Sequence, residues 1–262
     1  MNLSDTTALI TGASGGIGEE FAAQLADRKA NLVLVARRAD KLNAVRTALL
    51  VRHPDLRIDV ITADLAQPGA AAELQQRVQD LGLSIDVLIN NAGVGSHTDF
   101  IQQAPEQVAA QIQLNCGSLA ELTARFLPPM TQAGRGLIVN VASTAAFQPI
   151  PTMAVYGATK AFVLSFTEAL WWETRHSGVR VLALCPGATE TEFFAAAGEQ
   201  FMTRGRTTPP QVVTAALAAL DGANPTVIPG ATNKISTFAH RVMPRRLMVR
   251  MAQRSVKPAA RT

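Results

Sequence analysis

The sequence predicts an α/β domain built on a parallel sheet, and two patterns predict it. Short β-branched runs alternate with longer stretches of helical spacing along most of the chain, as strand–crossover–strand units require. The runs are almost continuously apolar rather than alternating, which is expected of strands covered on both faces. Such strands are joined by right-handed crossovers.

The elements follow in order. A strand over Thr6–Ile10 leads through a glycine-rich turn into a helix over Ile17–Arg28. Leu32–Val35 and Ile58–Ile61 read as the next strands, with helices over Lys41–His53 and Ala70–Leu81 after them. Val87–Ile89 precedes a long helical stretch, Pro105–Met130, and Leu137–Val141 precedes a second, Val155–His176. Val179–Leu184, a helix over Pro209–Leu220 and the strand Thr226–Ile228 complete the pattern. No long Pro/Ser-rich linker, repeat or low-complexity segment divides the chain. Residues 1–231 are therefore expected to form one domain, followed by a basic amphipathic extension over 232–262.

The chain has 262 residues, 48% apolar and 17% charged, enough for one large core and too apolar for disorder. Met1-Asn2-Leu3-Ser4-Asp5 lacks a basic and apolar leader, and no apolar run approaches a membrane span, so a cytoplasmic protein is expected. Two cysteines, Cys116 and Cys185, suit buried thiols in a reducing compartment. The four histidines show no ligand spacing, and no metal is expected. The net charge of +4 is uneven. From Gly222 onward there are eight Lys/Arg and no acids, leaving 16 basic against 20 acidic side chains before it, a net of −4. A nucleic-acid partner is accordingly not expected.

The first strand runs into Thr11-Gly12-Ala13-Ser14-Gly15-Gly16-Ile17-Gly18 and then a helix. Glycines there permit a tight turn and let backbone N–H groups approach a pyrophosphate at the helix terminus. The second strand ends Val35-Ala36-Arg37-Arg38, with no acid to read a ribose 2′-hydroxyl. Arginine suits a 2′-phosphate, so NADP(H) is expected over NAD(H). Arg37 is the expected clamp, with Arg38 stacking on adenine or sharing the phosphate; solvated arginines at a strand end are the plain alternative.

Tyr156 and Lys160 stand four residues apart in Val155-Tyr156-Gly157-Ala158-Thr159-Lys160-Ala161, on one helix face. A cation beside a phenol favours the ionised form and pulls the phenol from about 10 toward neutrality, where it serves as a general acid or base. Asn115 falls within an apolar helix, an unfavourable place for it.

Taken together, the glycine turn, Asp64, Asn90-Asn91-Ala92-Gly93, Asn115, Ser143, Tyr156 with Lys160, and Pro186-Gly187 followed by Thr191 resemble the short-chain dehydrogenase/reductase family. The second-strand arginines and basic C-terminal extension are similar to those of an NADP-dependent subgroup. The resemblance implies a single Rossmann-type, doubly wound domain with a seven-stranded parallel sheet. It implies that Asp64, with the Leu65 backbone, meets the adenine edge, and that Asn90, Ala92 and Gly93 turn along the adenosine ribose. Pro186, Gly187 and Thr191 would border the nicotinamide end. Thr189 stands where the family often has a branched aliphatic residue. Tyr156 would donate the proton to a carbonyl oxygen, Lys160 would tune it and hold the nicotinamide ribose, and Ser143 would stabilise the developing oxyanion. Asn115 would support a water path to the lysine. A strand-end serine serving the backbone is the alternative for Ser143, and a structural hydrogen bond for Asn115.

Val94–Phe100, Ala145–Met153 and Phe193–Met202 are expected to wall the pocket with Phe147, Ile150, Pro151, Met153, Phe193, Phe194, Phe201 and Met202, which suits an apolar ketone or acyl-type substrate. A homodimer or homotetramer, through Pro105–Met130 and Val155–His176, is usual for the family. Lys234–Lys257 would cap the pocket, pack on a subunit or touch an anionic membrane. Two other functions compete: a non-catalytic NADPH-binding sensor, which has no need of a proton donor, and a sugar-nucleotide epimerase or dehydratase, for which the segment after Thr191 is short.

Overall fold

The structure, a computed structural model, describes residues 1–193 and 206–256. Its strands are β1 Thr7–Thr11, β2 Asn31–Ala36, β3 Ile58–Thr62, β4 Val87–Asn90, β5 Gly136–Val141, β6 Val179–Leu184 and β7 Thr226–Val227. Among the described residues they form one parallel sheet in the order β3-β2-β1-β4-β5-β6-β7. The expected doubly wound, seven-stranded sheet is present.

The apolar runs explain it. Ile10, Leu34, Ile89, Val139 and Leu182 are completely buried, and each such side chain contributes about 1.5–3 kcal/mol. One face of the sheet is covered by α1 Gly16–Ala26, α2 Ala39–Arg52 and a later helix, Pro209–Ala218, through Phe21, Leu25, Leu42 and Leu217. The other is covered by α3 Ala70–Asp80 and the helices between β4 and β6, through Leu74, Val78, Leu122, Phe126 and Leu170.

The long helix expected over Pro105–Met130 is three pieces. α4 Pro105–Ile112 runs into a π-helical turn, Gln113–Ser118, and then α5 Leu119–Gln132. The π turn inserts an extra residue and turns Asn115 inward. After β5, Ser143 caps a short 3₁₀ turn, Thr144–Phe147, before α6 Ala154–Thr174. With Pro209–Ala218 as α7, the tail supplies α8 Ala231–Val242 and α9 Arg245–Val256, broken at Pro244. Among the described residues no helix is long and apolar enough to cross a membrane.

Strand order reverses between β1 and β4, and a crevice opens at their carboxyl ends. Thr11 stitches this seam: its hydroxyl donates to the Ile89 carbonyl at 3.2 Å and accepts from the Asn91 and Ala92 N–H groups at 2.9 and 3.0 Å. Asn91 returns the link, its Nδ2 donating to the carbonyls of Thr11 and Gly12 at 2.9 and 3.3 Å. Gly18 lies against this knot. A Cβ there would meet the Gly12 oxygen at 2.3 Å and Asn91 Nδ2 at 2.6 Å.

Alanine in place of glycine inside a helix ordinarily stabilises by about 1 kcal/mol. Gly18→Ala should do the reverse and destabilise by about 1–3 kcal/mol through overpacking, seen as a lower melting temperature by circular dichroism. An unchanged or raised melting temperature would contradict this packing.

Candidate active site

The crevice is a cleft of about 460 Å³ that gathers the ends of β1, β2, β4, β5 and β6. Gly12, Ser14, Gly15, Gly16 and Ile17 line one end, with Arg37 and Arg38 beside them. Asp64 and Leu65 after β3, and Ala92 and Gly93 after β4, line its middle. Ser143, Tyr156 and Lys160 line the other end with Pro186, Gly187, Thr189 and Thr191. Three of the expected site residues do not line it. Gly18 is the packing contact just described. Asn90 is buried in the sheet, its Nδ2 donating to Thr123 and Asn140 at 3.0 and 2.9 Å, so its side chain turns into the core. Asn115 lies behind the wall.

The glycine turn fits a dinucleotide. Gly16, at φ +59°, opens α1, and a Cβ added at Gly15 would project into open space. Backbone N–H groups and the positive end of an 11-residue helix thus face a region where a phosphate has room. Asp64 is partly committed locally, its carboxylate accepting from Ala66 N–H at 3.2 Å and Gln67 Nε2 at 3.3 Å.

At the second-strand corner the two arginines have different surroundings. Arg37 is exposed on the cleft wall, whereas Arg38 makes the anion contact, its Nη2 lying 2.8 Å from Glu192 and 3.4 Å from Ser14 Oγ. Lys41, one turn into α2, bonds the other oxygen of Glu192. Neither Lys41 nor Glu192 was marked by local sequence, because the contact joins segments about 150 residues apart.

At the far end Ser143 Oγ accepts the Ala145 N–H at 3.1 Å, which fixes the rotamer, and donates to the Pro186 carbonyl at 3.5 Å. Its side chain also stands beside Tyr156, where it opposes the rise of the phenol's pKa. Lys160 is 5% exposed, and its Nζ donates to the Val141 carbonyl at 2.7 Å. Asn115 clamps the turn after β4, accepting from Val94 N–H at 3.0 Å and donating to Val94 O and Thr159 Oγ1 at 2.9 and 3.0 Å. Both polar groups converge on Gly93, where an added Cβ would lie 3.2 Å from Asn115 Oδ1 and 3.5 Å from Lys160 Nζ.

The electrostatics correct one expectation. Burial pushes the Tyr156 phenol up to about 12, opposed only by the Ser143 hydrogen bond, instead of the cation pulling it down. Lys160 stands 5.8 Å from the ring centroid and spends its bond on Val141, so helix spacing brings it to the ring but not to the hydroxyl. Burial in turn lowers Lys160 to about 8. The Tyr156 phenol therefore holds its proton tightly, and the Lys160 ammonium releases its proton more readily than an exposed lysine does.

Among the apolar walls, Val94, Ile150, Met153 and Phe193 line the cleft as expected. Phe147 instead packs against the Leu119, Ala142 and Val163 cluster, and Pro151 does not line the cleft. Phe194, Phe201 and Met202 lie outside the described residues. Ala252 and Val256 of α9 complete the wall, so the tail caps the pocket, and Val256 shares an apolar cluster with Tyr156. Thr189 is buried; its hydroxyl donates to Gly187 O at 3.0 Å and lies 3.2 Å from Thr207 Oγ1.

A family model described as "short chain dehydrogenase" matches residues 6–201. The chain belongs to the short-chain dehydrogenase family. It is an oxidoreductase acting on CH–OH/C=O groups. A short-chain dehydrogenase from Sphingobium yanoikuyae, solved in complex with NADPH, is 34% identical with a TM-score of 0.82, covering 98% of this chain and 100% of that one. A bulky-bulky ketone specific alcohol dehydrogenase from Comamonas testosteroni is 35% identical with a TM-score of 0.78, over 92% of this chain and 93% of that one. Human 17-beta-hydroxysteroid dehydrogenase type 3 is 33% identical over 186 residues, 70% of this chain and 59% of the human protein.

Tyr156 is the only tyrosine in the chain, so its ionisation can be read directly. Ultraviolet difference titration of the native protein should show tyrosinate appearing near pH 12, against about 10 after unfolding. Because the folded state holds this proton more tightly, the group favours folding fully below pH 10 and loses that contribution as pH rises through 12. A native transition at or below pH 10 would refute the assignment.

Proposed function

We propose that this enzyme is an NADP(H)-dependent reductase of apolar ketones or acyl-type carbonyl compounds, working in the cytoplasm. The observation that carries the reading is that Ser143 and Tyr156, both part-buried, stand together in a cleft walled by Ile150, Met153, Phe193 and Val256. The nicotinamide supplies the hydride when bound. Tyr156 gives its proton to the carbonyl oxygen, and its raised pKa keeps that proton available for reduction at any ordinary pH. Ser143 donates to the same oxygen as negative charge builds there, its rotamer already set by Ala145. Lys160 holds the ribose hydroxyls of the nicotinamide half and passes a proton to Tyr156, with Asn115 supporting the water path that recharges it.

The dinucleotide lies along the glycine turn, with Asp64 and Leu65 at adenine and the turn of Ala92 and Gly93 along the ribose. Thr191 and the Pro186-Gly187 turn border the nicotinamide. Arg38 and Arg37 take the 2′-phosphate, and the second strand ends without an acid to favour NAD(H). The NADPH complex of the Sphingobium relative supports this preference. The ketone named for the Comamonas relative supports a bulky apolar substrate. Two free cysteines suit a reducing compartment.

Self-association through α4, α5 and α6 is supported by exposed Ile112, Phe162 and Trp172. Ile235 and Phe238 of α8, 71% and 66% exposed among basic residues, mark where peripheral contact with an anionic membrane would form. Domain and tail, 1–231 and 232–262, then make the site together, the tail contributing Ala252 and Val256 to its wall.

Tyr156→Phe should lower turnover on a bulky ketone by a factor of about 10² to 10⁴ while leaving NADPH binding within twofold, measured by absorbance kinetics and fluorescence titration. Retained turnover would overturn the role. In wild type, kcat/KM for reduction should fall as pH rises through about 8, where Lys160 loses its proton, well before Tyr156 ionises. A profile flat to pH 10 would exclude Lys160 as a proton source.

A further inference from the structure

Thr191-Glu192-Phe193 reaches from one end of the cleft to the other. Thr191 packs on the glycine turn, where a Cβ added at Gly16 would meet its side chain at 2.8 Å. Phe193 lies against Tyr156, ring centroids 5.2 Å apart. Between them, Glu192 turns back to the corner of β2 and α2 and places one carboxylate oxygen on each of two cations, Arg38 and Lys41. Arg38 also donates to Ser14 in the glycine turn. Among the described residues Glu192 and Asp64 are the only acids lining the cleft, and Asp64 points its bonds at its own loop. Two cations converging on one anion hold its carboxyl down at about 2.

The pair of ion contacts is poorly explained by stability. All three side chains are well exposed, and exposed pairs add little to folding. What the arrangement does is fill an anion position. A carboxylate is planar, singly charged and has two acceptor oxygens; a phosphate monoester has three and carries nearly twice the charge. It is the better ligand for a guanidinium and an ammonium brought to one point. Once a phosphate is there, a retained carboxylate beside it would be repelled.

We propose that Glu192 is a cofactor-selectivity residue: its carboxylate holds the position between Arg38 and Lys41 that a 2′-phosphate takes by displacing it. This rests on the reading of Arg38 as a phosphate ligand made above, and it adds Lys41 as a second one. A cofactor without the phosphate leaves the bridge in place. A cofactor with it opens the bridge and frees the segment that carries Thr191 and Phe193. The adenosine end of the cleft is thereby coupled to the contact that Phe193 makes with Tyr156, through one residue on either side of Glu192.

The test is binding alone, by fluorescence or calorimetric titration of the full chain with NADPH and NADH, for wild type, Glu192→Gln and Lys41→Met. Removing the competing charge in Glu192→Gln should tighten NADPH by about two- to fivefold, the scale of an exposed ion pair, and leave NADH unchanged. Lys41→Met should weaken NADPH by a similar or larger factor, again without effect on NADH. Glu192→Gln that leaves NADPH affinity unchanged, or that alters both cofactors equally, overturns the proposal. The outcome is separable from the underlying reading. Wild type binding NADPH and NADH equally would sink the phosphate site itself, whereas discrimination in wild type with no response to Glu192→Gln would sink only the competition.

Discussion

The site depends on a cation held inside the protein with no anionic partner among the described residues. Lys160 is nearly inaccessible, and its ammonium is supported by the Val141 carbonyl. Burying a charge this way is unfavourable, which is why its pKa falls to about 8. The bond nonetheless fixes α6 against the end of β5, and that fixes where Tyr156, one turn earlier, meets Ser143 at the start of the next segment. An apolar residue in its place would pack at less cost. Local conflicts of this kind concentrate where function requires them.

The surrounding elements are shaped to admit that cation to the cleft. Gly93 has no side chain, and the space a Cβ would fill is bounded by Asn115 Oδ1 and Lys160 Nζ. Asn115 reaches there only because the helix after β4 is widened into a π turn, and it holds the Val94 backbone on both its N–H and C=O. Thr159, adjacent to Lys160 on α6, closes the set by accepting from Asn115. Three separate chain segments are therefore locked to one another by amide and hydroxyl groups, and the lysine is positioned by all of them.

The strands were legible because burial on both faces demands apolar runs, and Leu32–Val35 or Val179–Leu184 could be little else. The glycine turn was legible because its position between a strand and a helix gives it meaning. The π turn was not: Gln113–Ser118 has ordinary helical composition, and only the misplaced polarity of Asn115 hinted at it. Spacing correctly put Lys160 beside Tyr156 but gave the wrong sign for the phenol, since i,i+4 fixes Cβ neighbours and not which atom the ammonium touches. Asn90 lies within the Asn90-Asn91-Ala92-Gly93 motif yet faces the core, and its neighbour Asn91 makes the link to the glycine turn. Glu192 and Lys41 meet only through the fold.

The apolar wall and the acid strength of Tyr156 have a common origin. Tyr156 packs against the cluster of Ile150, Met153, Phe193 and Val256, and the desolvation of its hydroxyl is what raises its pKa. The same surface is what an apolar carbonyl compound would be buried against. Since Val256 comes from α9, the C-terminal helix takes part in both: it adds an apolar side chain to the cleft wall and to the cluster that Tyr156 packs against. A more polar wall would admit water, lower the phenol toward 10 and shift the balance from a reserved proton donor toward a base. The apolar substrate class proposed above and the tight hold of Tyr156 on its proton thus trace to one feature, the apolar wall.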